Sequence, residues 1–512
     1  MNPSISHSIS PYVYGLNFAD AQSGAPAHTP LHRAGGNRWT AYNWETNASN
    51  AGSDYLYQND ALLSSSSTPA EAVRSHIAAD RSAGMASLVT VQMQGLVSAD
   101  ESGPASISNP PDLTRFKQVV FQKSTQSAAA FTLSPPVGDS YVYMDEFVWS
   151  LDQKFAGQSI FGATPVMYPV FIELDNEPEL WNSTHLEVQG STAINSDAYI
   201  SRTVNLAKAI KNQFPNAVIF GPVHYGFLGL YNWQTEMSGA TPGGNNWFAD
   251  KYLLAVKSAS TAYGRALVDV YDFHWYTQAA DASNNMIIFN SGSSLTTDQV
   301  QAVVQAPRSL WDRSYRENSW IANDVLGGPV YMLPRLQSRI DTENPGMKIA
   351  ITEYNTGGAN HIAGTLAQAD SLGIYGAQNV YAANYWPLHG SEPYIMGGFR
   401  AFRNFDGASA SFGDISLQAE SSNTANVAAY ASRDSTRTGR VVFVVINRST
   451  SPKVTQLAGV ALSGTAHLYQ MTASSTQGQA TVQPMPIGTQ AASGTSLTVT
   501  LPALSVTTID VY

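Results

Sequence analysis

The stretch FIELDNEPELWN, residues 171–182, begins as an apolar run and ends in a cluster of acids. The apolar run extends back to Val166 and stops at Leu174, a length typical of a buried strand. Pro178 has no N–H and does not continue a central strand, so the strand ends where residues 175–177 begin. The stretch therefore predicts a strand that carries Asp, Asn and Glu at its carboxyl end.

A second stretch, KIAITEYNTGG at residues 348–358, repeats this arrangement. Its apolar run Ile349–Thr352 delivers Glu353, and a glycine-rich loop follows. Catalytic residues of barrel enzymes lie at the carboxyl ends of the strands. Glu177 and Glu353, at two such strand ends, are therefore the candidate catalytic residues.

Further apolar runs alternate with helical patterns between residues 13 and 388. The runs predict eight strands, Val13–Phe18, Leu31–Asn37, Ala86–Met93, Val166–Asp175, Ala217–Val223, Val268–Trp275, Met347–Glu353 and Asn379–Trp386. The helical patterns cover Ala70–Ala83, Ser196–Phe214 with Ser196 or Asp197 as its expected cap, Phe248–Tyr263 and Gln368–Gly376. This alternation predicts an α/β fold, a (β/α)₈ TIM barrel over residues 11–395.

The pattern changes after residue 395. Residues 396–512 are rich in Gly, Ser, Thr and Ala and contain short alternating strands separated by turns, without a helical pattern. The predicted strands are Val427–Ala431, Val441–Ile446, Ala466–Tyr469, Ser496–Leu501 and Ser505–Tyr512. We expect a C-terminal β-sandwich domain, joined by residues 1–10, with the glycine-rich segment Gly397–Gly407 marking the crossing between domains.

Composition excludes several classes of function. The net charge of −11 disfavours binding to nucleic acid or to an anionic membrane, and no long apolar run predicts a transmembrane helix. The absence of cysteine excludes disulfides, thiol nucleophiles and Cys-ligated zinc. Only 13% of the residues are charged while 11% are aromatic, which suits a neutral ligand such as a sugar.

Two carboxylates that face one another across a cleft are what glycoside hydrolysis requires. One must be protonated to donate to the leaving oxygen, and the other must be ionised to attack the anomeric carbon. Neither a serine nucleophile elbow nor a His-Glu-x-x-His motif is present, which argues against a serine hydrolase and a zinc protease. The sequence leaves retention and inversion open, because it does not give the distance between the two carboxyl groups.

Four segments resemble glycoside hydrolase family 44: SISPYVYGLNF at 8–18, HRAGGNRWTAYNWETNASNAGSDY at 32–55, LDNEPELW at 174–181 and SLWDRSYRENSWI at 309–321. The resemblance runs along nearly the whole chain. It implies a retaining endo-β-1,4-glucanase that also accepts xyloglucan, built as a barrel with a β-sandwich. It further implies that Glu177 is the general acid/base, that Glu353 is the nucleophile, and that catalysis needs no cofactor.

Supporting residues follow from the same resemblance and from residue chemistry. Tyr276 is expected to hydrogen-bond the nucleophile and Asn176 a sugar 2-hydroxyl, while Arg38 pairs either with Glu353 or with a structural partner. His274 is either a site residue or a core residue whose ring nitrogens have hydrogen-bond partners. Asn37 and Asn43 are candidates for hydrogen bonds to sugar hydroxyls. Trp386 is the favoured aromatic platform, and Trp39, Trp44, Trp320 and Tyr354 are weaker ones; for any single tryptophan, burial in the core is an equal alternative.

Several alternatives stay open at this level. A mannanase, a xylanase or an arabinofuranosidase would show the same glutamate pair, and a carbohydrate-binding protein without turnover would share the scaffold. The acidic, Asn-rich loop Asn47–Asp60 is a candidate site for a structural calcium ion. The expected partner is a β-glucan polysaccharide acted on by a monomer. Residues Met1–Tyr12 lack an apolar signal core, so the protein is either cytosolic or has lost a signal; a polymeric substrate implies secretion.

Overall fold

The computed structural model describes residues 1–18, 29–161 and 168–512. Eight strands in these ranges form a closed parallel barrel. In chain order they are β1 Gly15–Asn17, β2 Leu31–Ala34, β3 Ala86–Val91, β4 Val170–Leu174, β5 Ile219–His224, β6 Val270–Tyr276, β7 Lys348–Asn355 and β8 Ala382–Tyr385. Each overlaps one predicted run, so the TIM-barrel prediction is confirmed. Residues 166 and 167, the predicted start of the fourth strand, lie outside the described residues.

Most barrel strands are shorter than predicted, and the backbone shows why. The first predicted strand loses its start because Pro11–Tyr14 is a 3₁₀ helix capped by Ser10. β2 stops at Ala34 because Gly36, at φ 100°, turns the chain into the short helix Asn37–Thr40. Apolar runs thus locate the strands well but mark their ends to within a few residues only.

The connections between barrel strands are mainly helical. The α-helices are Asn37–Thr40, Glu71–Ala83, Met144–Lys154, Trp181–Thr184, Leu186–Gln189, Ser196–Gln213, Phe227–Asn232, Phe248–Tyr263, Thr297–Gln305, Met332–Glu343, Ile362–Ala377, Pro393–Arg403 and Ala473–Thr476. Short 3₁₀ helices are Pro11–Tyr14, Gly52–Asp54, Lys123–Thr125, Pro178–Leu180, Ile287–Phe289 and Ala306–Leu310, and Ile321–Val325 is a π-helix. The predicted caps Ser196 and Asp197 are wrong, because the side chain of Asn195 accepts the Ala198 N–H instead.

Two small sheets lie in the loops that follow β2 and β3. One contains Ser49–Asn50, Gln58–Asp60 and Gly103–Pro104, all paired antiparallel. The other contains Leu96–Ser98, Phe116–Val120 and Tyr141–Tyr143. Neither sheet was predicted, because strands of two to five residues carry too little periodicity to detect.

The C-terminal residues form a β-sandwich, as predicted. In spatial order its strands are Asn2–Ser8, Ile415–Gln418, Val427–Arg433, Val441–Asn447, Ser505–Val511, Lys453–Met471 and Met485–Leu501. The register of the two longest strands shifts between Ala458 and Leu462, so one sheet folds over itself around a shared apolar core. The N-terminal strand pairs antiparallel with Ile415–Gln418.

Helix Pro393–Arg403, which has a buried apolar face, covers the first part of the segment Gly397–Gly407, and the crossing between domains at this segment stays a prediction. The chain forms two compact units, one of Met1–Pro30, Tyr276–Leu336 and Glu353–Tyr512, the other of Leu31–Trp275 and Gln337–Thr352. The domain boundary at residue 395 stays a prediction. Among the described residues, no helix is long and apolar enough to cross a membrane.

Candidate active site

Glu177 is held at the end of β4 by an unusual backbone. Asp175 and Glu177 adopt left-handed conformations, with φ of 66° and 41°. Such conformations cost non-glycine residues energy and persist where the surroundings impose them. The Glu177 N–H donates to the Val223 carbonyl at 3.1 Å, and the 3₁₀ helix Pro178–Leu180 follows directly. The strand end is therefore built to fix the direction of the Glu177 side chain.

His274, on β6, is the direct partner of Glu177. Its Nδ1 lies 2.7 Å from Glu177 Oε1, and the His274 side chain is fully buried while that of Glu177 is 15% exposed. Burial raises the pKa of Glu177 to about 8, and the nearby charge of Glu179 adds to the increase. At neutral pH this carboxyl group is therefore mainly protonated, which is the state that a general acid requires.

Asn176 belongs to a buried network with Arg33 on β2. The Arg33 guanidinium donates to Asn176 Oδ1 at 2.8 Å and to Glu173 Oε2 at 2.7 Å. The Thr90 hydroxyl donates to the other oxygen of Glu173 at 2.5 Å. The network fixes the orientation of the Asn176 amide. Sequence analysis missed Arg33, although its alternation with His32 on a short strand could have placed it inside the barrel.

Asp175 anchors the loop after β3 to the same strand end. Its buried carboxylate accepts hydrogen bonds from the N–H groups of Met93 and Gln94 at 2.6 and 2.8 Å, and from the Thr40 hydroxyl at 2.6 Å. Burial raises the pKa of Asp175, and these donors oppose the increase. Asp175 is thus a structural neighbour of Glu177 rather than a second acid in the same position.

Asn37 extends the site from Asn176. Asn176 Nδ2 donates to Asn37 Oδ1 at 3.3 Å, and Asn37 Nδ2 donates to Asp54 Oδ1 at 3.0 Å. His185 Nε2 lies 2.9 Å from the Asn37 carbonyl oxygen. The predicted pair Asn37 and Asn176 is therefore brought together beside Glu177.

Four other predicted residues of this unit lie in scaffold positions. Arg38 pairs with Asp60 at 2.5 Å, which is the structural ion pair rather than the pairing with Glu353. Asn43 is fully buried and donates to the Ser98 carbonyl at 2.7 Å. The remaining two are aromatic core residues, since Trp44 is buried and stacks on Phe147 and Trp39 packs edge-on against Tyr42.

Glu353, which belongs to the unit that includes Glu353–Tyr512, lies near the end of β7. The Tyr276 hydroxyl, at the end of β6, donates to Glu353 Oε2 at 2.6 Å. The Glu353 side chain is buried, with 5% of the residue exposed. A hydrogen bond donated to a carboxylate stabilises its ionised form. Glu353 is therefore arranged as an acceptor, in contrast to Glu177.

The predicted aromatic platforms divide into exposed and buried residues. Trp386, directly after β8, is partly exposed and packs edge-on against Phe18 with ring centroids 4.8 Å apart. Trp320 is partly exposed and its indole N–H donates to Gln278 Oε1 at 2.9 Å. Tyr354 is fully buried, and its hydroxyl accepts a hydrogen bond from Gln368 at 2.7 Å, which makes it a core residue.

Glu179 and His224 form a buried pair that sequence analysis did not single out. His224 Nδ1 contacts Glu179 Oε1, and His224 Nε2 lies 2.9 Å from the Tyr271 hydroxyl. Gly229 packs against this pair so closely that a Cβ atom there would lie 1.9 Å from Glu179. The pair therefore holds a carboxylate in a fixed position two residues beyond Glu177.

The loop Asn47–Asp60 does not present a ring of open oxygen ligands for calcium. Asp60 is used by Arg38, and Asn47 Oδ1 accepts from the Tyr42 hydroxyl at 2.8 Å and the Ala72 N–H at 3.1 Å. Asn50 Oδ1 accepts from the Gly52 N–H at 2.6 Å. These side chains hold the loop itself together.

Comparison with known proteins points to one family. Residues 48–279 match the family model "Glycoside hydrolase family 44". An endoglucanase from Clostridium thermocellum aligns with a TM-score of 0.89 and 34% identity over 99% of this chain and 97% of that one. The chain belongs to glycoside hydrolase family 44.

Two further relatives of this family 44 protein carry names that describe their activity. A Paenibacillus polymyxa xyloglucanase, solved with xyloglucan, aligns with a TM-score of 0.88 and 34% identity over 99% of this chain and 97% of that one. "Endoglucanase A" of Paenibacillus lautus is 37% identical over 450 residues, which are 86% of this chain and 62% of that protein. The chain spans 62% of the length of this curated relative and 34% of the length of a second curated relative that it matches.

Proposed function

We propose that this family 44 protein is an endo-acting glycoside hydrolase that cleaves β-1,4-glucosidic bonds of cellulose-type glucans and xyloglucan with retention. The observation that carries the proposal is that the surroundings of the two glutamates differ. Burial raises the pKa of Glu177 to about 8, whereas Glu353 accepts a 2.6 Å hydrogen bond from Tyr276. An acid and a nucleophile need this division of protonation states. The names of the relatives support a glucan substrate.

The barrel topology supports a shared site. β4 and β7 are parallel strands of one closed barrel, and Glu177 and Glu353 lie at or just after their carboxyl ends. Carboxyl ends of barrel strands meet at the rim where active sites form. We expect the two carboxyl groups to act about 5–5.5 Å apart, the separation used for retention.

In the first half-reaction, Glu353 attacks the anomeric carbon of the sugar at the cleavage point. The bond from that carbon to the glycosidic oxygen breaks as the new ester bond to Glu353 forms. Glu177 gives its proton to the departing oxygen, so the leaving chain is released as a neutral alcohol. The enzyme then carries a covalent glycosyl ester, and Glu177 is ionised.

In the second half-reaction, water replaces the leaving chain. Glu177 takes a proton from the water as its oxygen attacks the anomeric carbon, and the ester bond to Glu353 breaks. Both glutamates return to their starting states. Two inversions at the same carbon give a product with the original β configuration.

Neighbouring side chains prepare both steps. Arg33 fixes the Asn176 amide, and we expect this amide to bind the sugar 2-hydroxyl, a contact that strengthens in the transition state. The Tyr276 hydroxyl donates to Glu353 and orients its carboxylate. Trp386 is the preferred platform for a sugar ring, because an exposed indole face binds the apolar face of a pyranose. The chemistry needs no metal or cofactor.

The proposal is tested by measuring reducing ends released from carboxymethyl cellulose, xyloglucan, mixed-linkage glucan, mannan and xylan. Wild type, Glu353→Gln, Glu177→Gln and the exposed control Glu101→Gln are compared. We expect glucan or xyloglucan cleavage by wild type and control, with losses of at least about a thousandfold in the other two. The anomer formed first, followed by NMR, should be β.

Each part of the proposal has its own contrary result. Full activity of Glu353→Gln excludes it as nucleophile, and an α anomer as first product excludes retention. Preferential hydrolysis of mannan or xylan assigns a different barrel glycosidase. Binding without cleavage of any polymer assigns a carbohydrate-binding protein. Because such polymers do not enter cells, the proposal also places the protein outside the cell, acting on β-glucan.

A further inference from the structure

Outside the candidate active site, His32, His76 and Asp80 form a buried cluster. His32 Nδ1 lies 2.8 Å from Asp80 Oδ1, and His76 Nε2 lies 3.0 Å from Asp80 Oδ2. One ligand atom from each of the three residues lies within 4.8 Å of the other two. His32 is 7% exposed and Asp80 is 1% exposed. Three groups that commonly ligate metals therefore meet at one shielded point.

Secondary structure brings these residues together rigidly. Successive residues of a strand point to opposite sides, so the inward direction of Arg33 on β2 turns His32 outward, toward helix Glu71–Ala83. His76 and Asp80 are four residues apart on that helix and share one face. The i, i+4 spacing of ligands on a helix is the one that zinc-binding helices use.

Hydrogen bonds alone leave this cluster incompletely satisfied. Asp80 Oδ2 already accepts the Ser87 hydroxyl at 2.6 Å. His76 Nε2 is shielded from solvent, and within the described part of the chain it meets no group with hydrogen-bond geometry. A buried imidazole nitrogen without a hydrogen bond costs free energy unless another ligand takes its lone pair.

The charge on the cluster also suits a cation. The Asp80 carboxylate is 1% exposed, and its two oxygens lie 2.8 and 3.0 Å from the His32 and His76 imidazole nitrogens. The two imidazole rings lie with centroids 4.3 Å apart, so two positive charges would repel one another there. A bound metal ion would neutralise Asp80 while both imidazoles remained neutral.

We propose that His32, His76 and Asp80 form a structural zinc site that joins β2 to helix Glu71–Ala83. Two imidazole nitrogens and one carboxylate oxygen are typical zinc ligands, and a water molecule would complete the tetrahedron. Zinc bonds of about 2.0–2.1 Å place ligand atoms about 3.3 Å apart. His32 Nδ1 and His76 Nε2 lie 2.8 and 3.0 Å from the two different oxygens of Asp80, and one ligand atom from each residue lies within 4.8 Å of the other two, so small side-chain rotations bring the three ligand atoms into range. The Ser87 hydroxyl, which donates to Asp80 Oδ2, would orient the Asp80 carboxylate.

The site is tested by calorimetric titration of chelator-treated, dialysed protein with Zn²⁺, and by thermal unfolding with and without Zn²⁺. We expect one equivalent bound by wild type and a higher Tm with zinc. In His76→Gln, which keeps a polar side chain of similar size, the affinity should fall by at least about tenfold and the Tm increase should disappear. The matched control His467→Ala, a half-buried histidine of the sandwich, should behave as wild type.

A spectroscopic measurement keeps the test independent of folding defects in the variant. Wild-type protein loaded with Co²⁺ should show the intense visible absorption of a tetrahedral site, and added Zn²⁺ should remove it. Absence of saturable binding to wild type overturns the proposal, as does unchanged affinity in His76→Gln. Glucan hydrolysis is measured in parallel, and its outcome is independent, because none of the three residues belongs to the proposed catalytic set.

Discussion

Glu177 and Glu353 are chemically identical, and their neighbours alone differentiate them. Glu177 meets His274 and a nearby carboxylate, while Glu353 meets a hydroxyl donor. Desolvation and like charge favour the neutral form of a carboxyl group, whereas a donated hydrogen bond favours the ionised form. Protonation roles therefore follow from the residues that surround each strand end, and they lead to two predictions at this scale.

The first concerns the basic limb of the pH profile. Glu177 must be protonated in the free enzyme, so kcat/KM should fall as the pH rises through about 8, where Glu177 loses its proton. Glu179 contributes to this raised pKa, so Glu179→Gln should move the basic limb to lower pH. The measurement is kcat/KM on a soluble glucan between pH 5 and 10. The control Glu101→Gln should keep the wild-type basic limb. If the basic limb of Glu179→Gln also stays at the wild-type pH, Glu179 does not raise the pKa of Glu177.

The second prediction concerns Tyr276. Replacement by Phe removes one hydrogen bond to the Glu353 carboxylate while the ring remains. Hydrogen bonds to charged groups contribute about 1.5–3 kcal/mol, so kcat should fall by roughly ten- to a hundredfold with little change in Tm. Steady-state kinetics of Tyr276→Phe and of the remote control Tyr263→Phe provide the comparison. Equal kcat values for the two variants would remove Tyr276 from the proposed machinery.

At the scale of elements, helix Ile362–Ala377 is tied to the sandwich by a buried polar group. Asp370 on the helix accepts from the Tyr430 hydroxyl at 2.6 Å and pairs with Arg448. Both charged side chains are 1% exposed or less. Breaking a buried ion pair leaves an uncompensated charge in a medium of low dielectric constant. This connection is therefore a point at which one substitution should have a large effect.

Asp370→Asn should lower the free energy of unfolding by about 3–5 kcal/mol, because the buried Arg448 charge loses its counter-ion. Urea denaturation followed by tryptophan fluorescence gives this difference. The exposed residue Asp324 supplies a control, Asp324→Asn, for which we expect less than about 0.5 kcal/mol. A loss below about 1 kcal/mol in Asp370→Asn would mean that the pair contributes little to stability.

The elements that sequence analysis located best are those with a continuous apolar signal. Strands β3 and β4 are buried on both faces, and their hydrophobic runs mark them directly. In contrast, Lys453–Met471 alternates exposed and buried residues over a bend, so only its Ala466–Tyr469 portion was recognised. A strand that curves around a core changes its exposed face along its length, and a fixed period does not follow that change.

The sequence predicts a site residue where a motif determines its position along the chain. It does not predict a residue whose partner is determined by tertiary contacts. Glu177 and Glu353 follow strand ends that the sequence marks. The pairing of Arg38 with Asp60 depends on how the loop folds back, and neither residue carries a local sign of it. Arg33 likewise gains its role only when β2 and β4 enter the same barrel.

At the scale of the whole molecule, three buried carboxyl groups have raised pKa values. Burial raises the pKa of Glu45 to about 7, that of Asp145 to about 6 and that of Asp272 to about 8. In the unfolded chain each would titrate near 4. Between these values the folded protein binds protons that the unfolded chain has released, so the free energy of unfolding falls as the pH rises.

Carboxyl groups with lowered pKa do not cancel this trend above pH 5. Asp80, whose pKa is lowered to about 2, contributes stability that is complete once the pH exceeds its unfolded pKa of about 4. Among the carboxyl groups, only those with raised pKa still change their protonation between pH 5 and 8, and each reduces stability as the pH rises through its folded pKa. The acidic side of neutrality should therefore be the region of greatest stability.

The resulting prediction is that Tm is highest near pH 5 and decreases steadily toward pH 8. Asp272→Asn should flatten this decrease, because an amide keeps a neutral group beside the Thr352 hydroxyl, 2.7 Å away, at every pH. Differential scanning calorimetry at half-unit intervals measures both profiles, with Asp324→Asn as the control that keeps the wild-type slope. Since Asp272 carries the highest folded pKa of the three, its substitution should change the slope most between pH 7 and 8. A wild-type Tm that increases over this range would mean that these buried carboxyl groups are ionised in the folded protein.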